Sequence, residues 1–90
     1  MSSTEAGADG GVSPLRAVVE VIVRGLVDNP GSVKVTETER RGMTVLELST
    51  APGDMGKIIG RQGRTAAALR MMVALTAEKH GKRAQLDIKD

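Results

Sequence analysis

Ninety residues with 13 basic and 11 acidic side chains, a formal net charge of +2, no cysteine and no aromatic residue allow one domain with a modest core. The absence of cysteine excludes a disulfide framework and a thiolate zinc site, so packing alone must hold the core, as suits a reducing, cytoplasmic setting. The longest apolar runs fall far short of the roughly 20 residues that span a bilayer, which predicts a soluble protein with no membrane partner.

Residues 1–12 are rich in Ser, Gly and Ala and lack the basic start and apolar stretch of a secretory signal, so they read as a disordered tail ahead of a domain at 13–90. Ser13-Pro14 then supplies an N-cap followed by proline at the first helical position. Leu15, Val18, Val19, Ile22, Val23 and Leu26 recur at helical spacing and predict one apolar stripe, ended by Asn29-Pro30-Gly31. Ser32 to Glu39 alternates and is rich in β-branched residues, as a half-exposed strand requires. Arg40-Arg41-Gly42 turns the chain into a second strand, Met43 to Ser49, with Thr44, Leu46 and Leu48 on one face. Glu37 and Glu39 share a face near the end of the first strand, where solvation accounts for them.

Ala51-Pro52-Gly53 stops the hairpin, and Asp54 is placed to cap a very short helix, Met55 to Ile59. After Gly63 a long helix follows, with Ala66, Leu69, Met72, Val73 and Thr76 on its predicted core stripe. Met71 and Met72 read as core in preference to interface. Lys79 and His80 suit the negative end of this helix and Gly81 its stop, before a final strand in which Ala84, Leu86 and Ile88 alternate with Gln85, Asp87 and Lys89. The order is α-β-β-α-α-β. A right-handed crossover makes the second and last strands parallel, giving an α+β domain whose three-stranded mixed sheet is covered on one face by helices.

The charge is uneven: residues 61 to 90 hold seven basic and three acidic side chains, against two and four in residues 1 to 30. The run Met55 to Ala77 contains Lys57, Arg61, Arg64 and Arg70 and no acid, so this region should attract anions. Within it lies GKIIGRQGR, residues 56 to 64. A P-loop is excluded, because Ala51 stands where its first glycine belongs and Ile58 follows the lysine. The dinucleotide fingerprint fails on glycine spacing and on the helix, in place of a strand, that precedes the loop. What remains is a bend between two helices. Glycines at its corners admit a sugar-phosphate backbone, N–H groups at the start of the second helix favour phosphate, and Lys57, Arg61, Gln62 and Arg64 surround it. His80, the only histidine, reads as a partner of the helix dipole, and neither a carboxylate pair nor a metal cluster has motif spacing, so no enzyme, cofactor or small-molecule substrate is expected.

IIGRQG between a short and a long helix resembles the G-x-x-G motif of KH domains, which clamp four backbone nucleotides. The element order is similar to the type II arrangement, and GLVDNP, APGDMGKIIGRQGR and HGKRAQLDI resemble the small stand-alone bacterial KH proteins of the KhpA family over residues 14 to 90. The resemblance implies single-stranded RNA as the partner, with Gly60, Arg61, Gln62 and Gly63 on phosphate and Lys57, Ile58, Ile59 and Arg64 beside them, the isoleucines helping to wall a groove. It further implies a post-transcriptional regulator or RNA chaperone in settings of cell elongation and division. Alternatively, the chain is an assembly module acting as a homodimer, or as a heterodimer with a larger KH-containing partner. Two departures, Ala66 where the pattern prefers a larger aliphatic residue and Ala67 where lysine is common, imply a shallower wall and one fewer cation. Without aromatic side chains the protein also lacks base stacking worth roughly 1 to 3 kcal/mol per base, which predicts weak, salt-sensitive binding.

Overall fold

The computed structural model describes residues 13–89; the tail read at 1–12 lies outside the described residues, as does Asp90. Helix α1 (Pro14–Leu26) begins as predicted, with the Ser13 hydroxyl accepting the backbone N–H of Arg16 at 3.2 Å and Pro14 at the first position. Leu15, Val19 and Val23 are fully buried, whereas Val18 and Ile22 are half-buried and Leu26 is 41% exposed. Leu26 is the last helical residue, and Val27, in extended geometry, enters the core after it.

Pro30–Ser32 forms a 3-10 turn, so the first strand starts later than the alternation suggests: β1 is Lys34–Arg40 and β2 is Met43–Ser49. They pair antiparallel about the two-residue turn Arg41-Gly42, and β2 pairs parallel with β3 (Arg83–Lys89), giving the sheet order β1-β2-β3. The crossover between β2 and β3 carries α2 (Met55–Ile59) and α3 (Arg64–Lys79). This is the expected α+β arrangement.

Register places Val35, Leu48 and Ile88 in one cross-strand row and Glu37, Leu46 and Leu86 in the next, on the face covered by the helices. Leu46, Leu48, Ile58 and Val73 are completely or almost completely buried there, each such side chain contributing roughly 1.5–3 kcal/mol. Glu37 and Glu39 therefore lie on the helix side of the sheet, and solvation is not the whole account of them. Glu37 accepts a hydrogen bond from the Ser13 hydroxyl, and Glu39 accepts one from the buried Thr44 hydroxyl.

In α3 the core stripe is Ala66, Leu69, Val73 and Ala77: three of the predicted residues, Ala66, Leu69 and Val73, are on it, whereas Met72 and Thr76 are not and Ala77 joins it. Met72 is 44% exposed and Met71 63%, so both stand on the surface, contrary to their reading as core. From Leu69 a helix permits a next contact at either i+3 or i+4, and the ridge that meets the sheet and α1 takes the second. The helix closes at Gly81, whose N–H donates to the Glu78 carbonyl while the Lys82 N–H donates to that of Ala77. No helix among the described residues is long and apolar enough to cross a membrane.

Candidate nucleic-acid interface

Gly60 ends α2 at φ 76°, ψ 172°, a region open essentially to glycine alone. Space enforces the same choice, because a Cβ there would lie 2.2 Å from Thr65 Oγ1 and 2.9 Å from the Thr65 backbone nitrogen. Gln62 (φ 57°) and Gly63 (φ 73°) then follow in left-handed geometry and reverse the chain within one 3-10 turn, Arg61–Gly63. The bend is held by the Gly60 N–H on the Gly56 carbonyl at 2.8 Å and the Gly63 N–H on the Gly60 carbonyl at 3.1 Å.

The chain leaves this bend directly into the 16-residue helix α3, whose N-cap, Gly63, has no side chain to satisfy the first-turn N–H groups. Helix α1 differs, since its Ser13 hydroxyl occupies one of those donors, the Arg16 N–H. The Arg64 N–H already donates to the Arg61 carbonyl, and the first-turn donors after it, at the positive end of a long helix, are suited to a phosphate oxygen. Arg61, Gln62 and Arg64 are exposed around them, so these side chains and the loop backbone form one surface.

Lys57, Ile58 and Ile59 divide. Ile59 is 38% exposed beside the bend, whereas Ile58 is fully buried, so its side chain belongs to the core and cannot line a surface groove. Lys57 is not a free cation: its ammonium lies 3.2 Å from Asp28 and 3.7 Å from Asp54. The acid-free run Met55 to Ala77 thus overstates the local positive charge, because acids outside the run fold onto it. The hydrogen bond and charge of Asp28 hold the Lys57 ammonium above its ordinary value.

Asp54 has a different task from the cap predicted for it. Its carboxylate makes no cap bond to α2 and instead accepts from the backbone N–H groups of Asp28 (3.2 Å) and Asn29 (3.0 Å) and the Asn29 side-chain amide (3.1 Å). Burial works against the charged form, but the Asn29 amide, these two N–H groups and Lys57 outweigh it and hold the carboxyl below its ordinary value. The start of α2, and with it the bend, is thereby tied to the turn after α1.

Sequence reasoning missed this tie, together with Thr65 and Arg70. Arg70 Nε donates to the Leu86 carbonyl at 3.3 Å, across the free edge of β3. Asp54 carried a partial signal, an acid between glycine and a helix; Thr65 and Arg70 carried none, because their partners are set by packing. Ala66 is buried against the core and Ala67 is exposed. Beside Arg64, an apolar groove between α1 and α3 is lined by Ile22, Leu26, Ala68 and Met72. Among the described residues no cluster of His, Asp and Glu is placed to hold a metal ion.

The pattern that defines the KhpA/KhpB KH domain matches residues 16–88. The chain belongs to the KhpA/KhpB KH-domain family. Relatives named RNA-binding protein KhpA include that of Halalkalibacterium halodurans, 47% identical over 76 residues, which cover 84% of this chain and 100% of the relative. The one from Aquifex aeolicus is 44% identical over 77 residues, 86% of this chain and 98% of the relative. A shorter match, to the KhpA protein of Mycobacterium bovis, is 60% identical over 57 residues, 62% of this chain and 70% of the relative. The KhpA/KhpB match begins inside α1 and ends inside β3, so all six elements contribute to it.

Proposed function

We infer that this protein is a non-enzymatic, cytoplasmic RNA-binding module that holds short single-stranded segments at the Gly60–Gly63 bend. The observation that carries the reading is the bend itself. Two consecutive left-handed residues and a glycine-only corner open a long helix with no side-chain cap, and exposed Arg61, Gln62 and Arg64 surround its donors. Relatives named as RNA-binding proteins support the same ligand. Phosphates meet the helix start and the arginines, and Ile59 borders the bases. Lys57 acts indirectly, by bracing α2 against Asp28 and Asp54. In the cell this reading fits a post-transcriptional regulator or RNA chaperone, in the setting of cell elongation and division that the resemblance implies.

An NMR titration with a short single-stranded RNA checks the assignment. Amide shifts concentrated at residues 60 to 66 are expected; shifts confined to the sheet would remove the loop from the site.

A second reading is compatible with the first. Ala68, Met71, Met72 and Leu75 form an exposed apolar stripe at i, i+3, i+4 and i+7 on α3, facing away from the core. Such a stripe supports assembly as a homodimer or with a larger KH-containing partner, and pairing two weak sites would raise avidity. Light scattering on Met72→Glu is the check: a dimer in the parent protein and a monomer in the variant are expected, and an unchanged mass would exclude this face.

A further inference from the structure

The largest uncompensated positive charge lies at the end of the molecule opposite the bend. Register puts Arg40 opposite Met43 and Met43 opposite Arg83, so these three residues form one cross-strand row beside the hairpin turn that carries Arg41. The hydrogen bonds that close α3 bring Lys79 and Lys82 to the same end. Arg40, Arg41, Lys79, Lys82 and Arg83 are all exposed, and none forms an ion pair among the described residues. The neighbouring acids are Glu39, whose carboxylate is engaged by Thr44, and Glu78. The bend, by contrast, presents only Arg61 and Arg64 once Lys57 is paired.

Arg41 supplies an independent observation. It sits at φ 51° in a two-residue hairpin turn, where glycine or asparagine is relieved of strain and arginine is not. A strained residue that retains its charge points to a use for that charge. A shallow groove between α3 and the start of β3, lined by Leu75, Glu78, Lys82, Arg83 and Ala84, gives a strand a path into this end.

We propose that Arg40, Arg41, Lys79, Lys82 and Arg83 form a second phosphate-contacting patch. It engages the continuation of an RNA strand held at the bend and extends the footprint past the four nucleotides of a KH clamp. The proposal rests on the RNA-binding reading above. Helix α3 sets the separation of the two sites at about 22 Å, so a strand long enough to leave the bend is needed to reach the patch. Two sites on one strand act through effective concentration, and affinity should therefore rise with RNA length beyond the clamp.

The test uses fluorescence anisotropy with labelled single-stranded RNAs of about five and about twelve nucleotides, lengths either side of the clamp. For K82Q/R83Q combined with R41N, affinity for the longer RNA should fall about tenfold and the salt slope should flatten by about 2, while the shorter RNA binds as before. R41N alone should raise the melting temperature while lowering affinity for the longer RNA, a combination that loss of a structural residue would not produce. Equal losses on both RNAs would overturn the proposal, since the patch would then act only as a general field. Unchanged binding of both would overturn it too, and would leave the patch to an acidic protein surface. R61D/Q62D separates the two readings: its failure to weaken the shorter RNA would sink the clamp and leave the patch result standing.

Discussion

Gly60 and Gly63 look alike in the sequence but do different physical work. A side chain at Gly60 meets the backbone nitrogen of Thr65 as well as a forbidden φ/ψ region, whereas around Gly63 there is open space and only the left-handed φ opposes substitution. Gly60→Ala should therefore cost about 2 to 4 kcal/mol and Gly63→Ala about 1 to 2. Chemical denaturation of the two variants measures both, and equal losses would contradict the packing of Thr65 on the loop. Asp54 makes a pH prediction. Its carboxyl is depressed in the fold, so the stabilisation it contributes is present above about pH 4 and is lost as pH falls through the lower folded value. Asp54→Asn should melt below the parent protein near neutral pH, and the gap should narrow as pH falls below the ordinary carboxylate range. A gap independent of pH would show that the charge has no part in the tie. Both roles were legible only in part: the glycines marked a bend without their difference in packing, and Asp54 sits where a helix cap belongs while its true partners are 25 and 26 residues away.

Among the elements, the two strands of the hairpin and the short helix were readable from local chemistry, because alternation and a proline-glycine stop act within a few residues. The stripe of α3 was readable only in part: Ala66, Leu69 and Val73 were placed on it, but Met72 was placed there too. Leu69 begins two helical rows, one through Met72 and one through Val73, and only the position of the sheet decides which enters the core. The consequence is measurable. Leu69→Ala should destabilise the fold by about 2 to 4 kcal/mol, and Met72→Ala should stay within about 0.5 kcal/mol for the monomer. Melting the two variants at low concentration distinguishes the rows, and a large loss at Met72 would put Met72 on the core stripe beside Leu69 and Val73. The apolar residues that this choice leaves outside, Met71, Met72 and Leu75, are those that favour an assembly face.

For the whole molecule, topology was legible because each helix and strand has its own period and the parallel crossover admits one hand. The charge field was legible only in part. Counting along the chain put the positive region at residues 55 to 77, but folding brings Asp28 and Asp54 onto Lys57 and leaves the far end of α3 the more positive. With no aromatic platform, the proposed RNA binding has to draw on phosphate and groove contacts in place of base stacking. The logarithm of the affinity for single-stranded RNA should fall linearly with the logarithm of salt concentration, at about 0.7 per phosphate contact. The central claim is that the bend at residues 60 to 63 holds the strand. Its most direct test is the affinity of R61D/Q62D for a short single-stranded RNA, measured beside its circular dichroism and melting curve. The account predicts that binding is lost while the fold and melting temperature stay close to those of the parent protein; a folded variant that binds RNA as before would contradict it.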